Sequence, residues 1–434
     1  MNAGMREVRA SWCLYDFANS AFATTILAVL FNEYFARSLA GGMAGTVILG
    51  NRIPGPTLYT FLLSFTLFLV ALLAPTIGLR SDRSHRPILW LAGLAGAGIA
   101  ATALLGLIKP GDLPLAFVIF PVAVLGFALS SVVYNALLPR ISSPGAMGRL
   151  SGWGWGLGYL GGGLVLAIDL LLLKGVTLPN GKILQITVTQ AFPLTAVWWA
   201  FFSLPLLLTA HKIPLRPVEG KSIRVRELLA GAWRSPQLRR FLLANLLYGD
   251  GIQTVVAMAS IFAATILKWP PERLVLYFLV IQGAALFGSP LLGAWADRYS
   301  DRRILQFCLL VWIAIVVSTW RLGWTGQPGA EYWILGILGG FVLGPTQNLG
   351  RSLLGRATPP PVAGSVFSLF AISNRFAAIF GPLTYGLVVW LTGDLRLAVL
   401  SMVFFFMAGL WGLTGLKEAR LEEELQILVK ENRP

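Results

Sequence analysis

Runs of about 20 or more apolar residues recur along the whole chain, separated by short polar loops that are mostly basic. They fall near 11–36, 57–79, 88–107, 114–137, 149–173, 190–210, 240–267, 275–296, 304–323, 331–352, 363–391 and 395–416. A helix rising about 1.5 Å per residue crosses a hydrocarbon layer of about 30 Å in a run of this length. Lipid offers the backbone no hydrogen-bond partners, so the runs must be helices. The predicted fold is therefore an all-α integral membrane protein with about twelve transmembrane helices. The longest polar stretch, 211–239, divides them six and six. The expected parts are an N-terminal bundle (1–210), a linker (211–239), a C-terminal bundle (240–416) and a tail (417–434). The tail, KEARLEEELQILVKENRP, has leucines and charges at helical spacing and reads as an amphipathic surface helix.

Composition agrees with this pattern. The chain of 434 residues is 56% hydrophobic and 12% charged, whereas soluble domains run near one quarter charged. A net charge of +15 raises the question of nucleic acid, but the charges lie between apolar runs, so topology explains them and no nucleic-acid partner is expected. With the N-terminus inside, alternate loops carry about 23 Lys and Arg on the inner side and about 9 on the outer side. That bias predicts a multi-pass protein of the cell membrane with both termini cytoplasmic. Residues 1–10 are short and polar, and the first run is long enough to stay in the bilayer, so no cleavable leader is expected. Cys13 and Cys308 read as buried thiols, and His85 and His211 fall in basic loops. No metal and no cofactor is expected.

The two sets of six runs contain a repeat. PTIGLRSDRSHR follows the second run and PLLGAWADRYSDRR the eighth. Both contain P-x-x-G-x-x-x-D-R, placing Gly78, Asp82 and Arg83 in register with Gly293, Asp297 and Arg298. The glycine permits close helix packing. The aspartate, one turn later, is placed to reach a basic group or a helix N-terminus. The string resembles the loop signature of the major facilitator superfamily, which implies two pseudo-symmetric six-helix bundles and a cytoplasmic gate at these loops.

A second alignment explains a carboxylate within the first run. LYDFANSAF and LYGDGIQTVVAMA align Asp16 with Asp250, Asn19 with Gln253, Ser20 with Thr254 and Ala23 with Ala257. Spacing i, i+3, i+4, i+7 puts each set on one helix face. A polar stripe is costly in lipid, so it should face a cavity or another helix, serving substrate binding, coupling or gating. Arg375, in the middle of the eleventh run, is the best candidate partner for a substrate carboxylate or for Asp250. Arg351, at the end of the tenth run, reads as a gate residue. Asn135, Gln347, Asn348 and Asn374 are further candidate lining groups. The fifth run, SGWGWGLGYLGGG, offers small-xxx-small spacing for close helix crossing.

Four strings together carry a narrower resemblance: WCLYDFANSAFATTILAVLF, YNALLPR with GRLSGWGWGLGYLGGG, FLLANLLYGDGIQTVVAMASIFA, and GPTQNLGRSLLGRATPP with GPLTYGL. They resemble the major facilitator family of the fungal vacuolar amino-acid effluxer of autophagy and its bacterial relatives. The resemblance implies a secondary transporter and, more narrowly, amino-acid efflux. It carries over Asp16, Asn19, Tyr134, Asn135, Asp250, Gln253, Gln347 and Arg351 by motif. The family's S-G-K string is Ser373-Asn374-Arg375 here, which keeps the positive charge. The expected function is alternating-access transport of a small zwitterion such as an amino acid, with protons as a candidate coupling ion. The alternative is export of drugs, lipids or other amphiphiles. No Walker A, HExxH or suitably placed GxSxG string is present, so an ATP-driven pump and an enzyme are not expected. The expected partners are a small-molecule substrate and the lipid bilayer, with no obligate protein partner.

Overall fold

The computed structural model describes residues 3–48, 50–53, 55–84, 86–177, 179–213, 225–269, 271–376 and 380–430. Among these, ten helices are long and apolar enough to cross a membrane. The 30-residue helix Pro328–Ala357, which carries Gln347, Asn348 and Arg351, is counted as one further span. The two shorter apolar helices Ala363–Phe376 and Phe380–Thr392, on either side of 377–379, are counted together as one more. In chain order we number the spans 1 to 12: 4–39, 55–83, 87–105, 113–136, 147–174, 188–209, 236–266, 271–298, 301–320, 328–357, 363–376 with 380–392, and 395–414.

Local sequence sets several of these ends. Pro87, Pro236 and Pro328 each open a helix where an amide would lack a partner anyway. Thr187 begins span 6 with a capping box: its backbone amide donates to Gln190 Oε1 at 2.8 Å, and its hydroxyl accepts from the Gln190 amide at 3.4 Å. Span 1 is not uniform. Phe22–Val29 and Phe35–Leu39 are π-helical, a geometry that occurs mostly as single-turn bulges. Two hairpins, Thr46–Ile48 with Asn51–Ile53 and Val176–Thr177 with Ile183–Leu184, interrupt the loops after spans 1 and 5. The helical reading did not anticipate them. Their signals are short: β-branched residues on either side of Gly50 and of Asn180-Gly181.

Contacts divide the chain into two compact units. The first comprises 1–77, 86–134 and 157–215. In it span 6 packs against spans 1 and 3. Trp12 stacks on Tyr134 at 4.6 Å, and each donates to the other's carbonyl, at 3.1 and 3.0 Å. Spans 1 and 5 approach closely: a side chain on Gly161 would collide with the Phe17 backbone, and one on Gly158 would lie 2.7 Å from Ser20 Oγ.

The second unit comprises 78–85, 135–156 and 216–434. Span 8 packs on span 10, and span 12 on spans 7 and 9. Residues 214–224 of the expected linker lie outside the described residues; the linker continues as the helix Val225–Arg234. The tail forms the helix Glu418–Lys430, with Leu421 and Leu425 fully buried, while 431–434 lie outside the described residues. Glu424 accepts from the amides of Gln237 and Leu238 at 2.9 and 3.2 Å, capping the start of span 7. Carboxylates at such termini contribute about 1 kcal/mol. Glu424→Ala is expected to destabilise by about that much, read as a lower thermal midpoint in detergent.

Candidate functional site

The two D-R loops build matching clusters in the second unit. Asp82, at the end of span 2, accepts from the Gly364 amide at 2.7 Å with Oδ1. Its Oδ2 accepts from the Ser365 amide and hydroxyl, both at 2.7 Å. Arg140 stands 3.7 Å from the same carboxylate. Asp297, at the end of span 8, accepts from the amides of Gly148 and Arg149 at 2.7 and 2.9 Å and pairs with Arg356. In both cases the amides belong to the first turn of a helix, span 11 or span 5. Those amides have no partner within their own helix, and the helix dipole favours an anion there.

The glycines make these approaches possible. A side chain on Gly78 would collide with the Gly364 carbonyl; one on Gly364 would lie 2.6 Å from the Gly78 carbonyl. Gly293 and Gly148 repeat this arrangement, with a side chain on Gly148 only 2.6 Å from the Gly293 carbonyl. Backbone therefore rests on backbone at both crossings. Arg83 and Arg298, the second letters of the motif, are exposed; Arg298 lies over the Tyr299 ring at 5.9 Å.

Arg140 and Arg356 had not been singled out from the sequence, although the signal was there. LLPRISSPGAMG and LLGRATPPPVAG align with both arginines and both glycines, Gly148 and Gly364, in register. The two clusters differ in one respect. Arg356 also pairs with Asp301 and donates to the Pro144 carbonyl. The position matching Asp301 in the first copy is Arg86.

Arg351 and Asn135 also occupy matching positions in that alignment, and they meet. Arg351 Nη1 donates to Asn135 Oδ1 at 3.2 Å; its Nε and Nη2 donate to the Ser151 hydroxyl and carbonyl, both at 2.9 Å. The guanidinium is buried and lies 5.8 Å from the Trp155 ring centre. Trp155 is thus a partner of this arginine.

A polar seam joins spans 7 and 11. Asn245 donates to Ser373 Oγ and Asn374 Oδ1 at 3.1 and 2.7 Å, and accepts from the Tyr248 hydroxyl at 2.8 Å. Asp250, fully buried, accepts from the Phe380 amide at 2.9 Å. Thr254 donates to the Asp250 carbonyl, and a side chain on Gly381 would collide with its hydroxyl. Of the other candidates, Gln253 is exposed and Gln347 half-buried. The backbone of Arg375 belongs to span 11, but its side chain lies outside the described residues. Asp16 and Asn19 are buried in the first unit, on the helix that faces the span 5 glycines.

One ionisable group went unnoticed in the sequence. Asp169 of span 5 is fully buried, and its Oδ2 accepts from Thr25 Oγ1 at 3.1 Å. It stands alone in LVLAIDLLLLK, and its counterpart in the second copy is Tyr385, so a search by repeat passes over it. Cys13 and Cys308 are buried and unbridged.

Comparison with known proteins bears on the family and the fold. Residues 145–425 match the family model described as vacuole effluxer Atg22 like. The chain is 27% identical to the MFS-type transporter YxiO of Bacillus subtilis (strain 168), covering 92% of each chain. It is 29% identical to autophagy-related protein 22 of Botryotinia fuckeliana (strain B05.10) over 61% of this chain, but spans only 42% of that longer relative. Among solved structures, a bacterial homologue of the iron transporter ferroportin in its outward-facing state superposes with a TM-score of 0.70 at 13% identity, covering 95% of this chain and 99% of that one. The major facilitator transporter FucP in its outward conformation gives 0.71 at 13% identity, covering 94% and 98%. At such identities the likeness shows the fold alone, and that fold is the twelve-helix major facilitator fold.

Proposed function

Because the chain belongs to the Atg22-like family of major facilitator secondary transporters, we propose that it moves a small zwitterion, such as a neutral amino acid, by proton-driven alternating access. The moving parts are the two six-helix sets, 1–210 and 240–416, joined by 211–239. The Asp82 and Asp297 clusters act as latches that hold one end shut, and the arginine bias of the loops assigns that end to the cytoplasm. We place the protein in the cell membrane with both termini inside. Opening requires each aspartate to release two backbone amides and an arginine, and the glycine crossings to part.

The observation that carries the substrate class is the seam between spans 7 and 11. It stitches the helix bearing the buried carboxylate Asp250 to the stretch bearing Arg375. A carboxylate and a guanidinium on adjoining helices provide for the ammonium and the carboxylate of an amino acid. In this structure Asp250 holds the Phe380 amide, which makes its exchange onto a substrate ammonium part of the cycle.

The test is counterflow of radiolabelled neutral amino acids in proteoliposomes. Asp250→Asn and Arg375→Ala are each expected to reduce exchange at least tenfold. Removing one partner of a hydrogen-bonded charge pair costs about 2–5 kcal/mol, and 1.4 kcal/mol is a factor of ten. Normal exchange in both variants would discard the assignment. Thermal stabilisation of the wild-type protein by amphiphiles but by no amino acid would instead support an amphiphile exporter.

A further inference from the structure

Asp169 takes no part in the latches or in the seam, yet its setting is specific. It is fully buried on span 5. Its Oδ2 accepts the Thr25 hydroxyl at 3.1 Å, while Oδ1 has no hydrogen-bond partner among the described residues. Gly158, Gly162, Val165 and Asp169 share one face of span 5 at i, i+4, i+7 and i+11. On that face the glycines touch Ser20 and Thr24 of span 1, so the carboxyl continues a backbone-close interface rather than facing lipid. Thr25 belongs to the π-helical stretch Phe22–Val29. Between the ends of these two helices, the other titratable groups are Asp16, Glu33 (paired with Arg37), Cys13, Tyr15 and Tyr34 on span 1 and Tyr159 on span 5. Arg149 and Lys174 lie at the two ends of span 5; span 4 carries only the phenol of Tyr134 within 113–136, and span 6 carries no titratable side chain within 188–209.

A buried carboxylate without a paired cation is disfavoured, whereas the neutral acid needs only a place for its proton. The unpartnered Oδ1 is that place. We propose that Asp169 and Thr25, brought together across the span 1–span 5 interface, form a proton-exchange site that binds and releases the driving proton. The proposal rests on the proton-driven reading above. The π-helical stretch provides the means of switching. A π turn holds more residues than an α turn, so conversion to α geometry swings Thr25 around the helix axis relative to span 5. With Thr25 turned away, water replaces it at the carboxyl and the proton can leave. The step is a simple ionisation: the O–H bond of the acid breaks, the electron pair stays on Oδ1, and the proton passes to water.

The experiment is infrared difference spectroscopy of the full chain in detergent as pH is raised from about 5 to about 9, a range wide enough to bracket a perturbed carboxyl. The wild type is expected to lose the carbonyl band of a protonated carboxyl, and Asp169→Asn to lack that component. Thr25→Val, which retains the carboxyl but removes its hydrogen bond, is expected to shift the band; it serves as the second variant if Asp169→Asn does not fold. In proteoliposomes, Asp169→Asn is expected to lower pH-driven accumulation of radiolabelled amino acid at least tenfold while counterflow, which needs no net proton movement, persists. A titrating band unchanged in both variants overturns Asp169 as the site. Wild-type accumulation indifferent to an imposed pH gradient overturns the proton-driven reading instead.

Discussion

Arg356→Ala is expected to destabilise the latched protein by about 3–5 kcal/mol, the cost of removing one partner from a largely buried pair. The cost is high because this arginine satisfies three groups at once: Asp297, Asp301 and the Pro144 carbonyl. Asp301 is fully shielded from solvent and would be left as an uncompensated buried charge at the start of span 9. Thermal unfolding in detergent should show a clear fall, and amino-acid counterflow should fall with it. Arg356→Lys keeps the charge but not the planar fork that serves two carboxylates, so it should recover only part of the loss. If Arg356→Ala melts and transports like wild type, the second cluster is not a latch.

Gly148→Val should act on the same latch by a different route. Its side chain would enter a space already occupied by the Gly293 carbonyl, at 2.6 Å, and Asp297 Oδ1, at 2.9 Å. Overpacking of this kind costs about 1–3 kcal/mol, and at 1.4 kcal/mol per factor of ten it depletes the latched state about five- to a hundredfold. The alternative state, in which the crossing has parted, carries no such penalty. Hydrogen exchange in the segments around Gly148 and Gly293 should accelerate accordingly. Gly145→Val is the control, because a side chain there meets nothing within 4 Å. Equal exchange in the two variants would mean that the crossing does not open.

Much of the fold is legible in the sequence alone. The helices could be read because lipid leaves the backbone no other solution. Asp82 and Asp297 could be read because a glycine and an aspartate recur at the same spacing in both copies. Arg140 and Arg356 lay within an equally good repeat, but each lies beside a helix end, where a basic residue is ordinary and draws no notice. The motif marks Asn135 as a lining group; its partner Arg351 lies 216 positions on, a proximity that only the folded chain reveals. Asp169 was invisible to any search by symmetry, since its counterpart is a tyrosine. The π-helical turns of span 1 had no sequence signature that hydropathy could register.

The unequal burial of the two clusters proposed as latches has a consequence for how they respond to their surroundings. Side chains of Asp82 and Arg140 are each only 4% exposed, while Arg356 and Asp297 are 20% and 11% exposed. Dissolved ions screen charges over about 8 Å at physiological ionic strength, but only where they can approach. Screening therefore reaches the Arg356 latch and hardly touches the Arg140 one. The latch with more carboxylates is the one whose grip varies with the salt of the adjoining compartment, and the sparser one holds independently of it. A door fastened in this way has one fixed bolt and one that the solution itself can loosen.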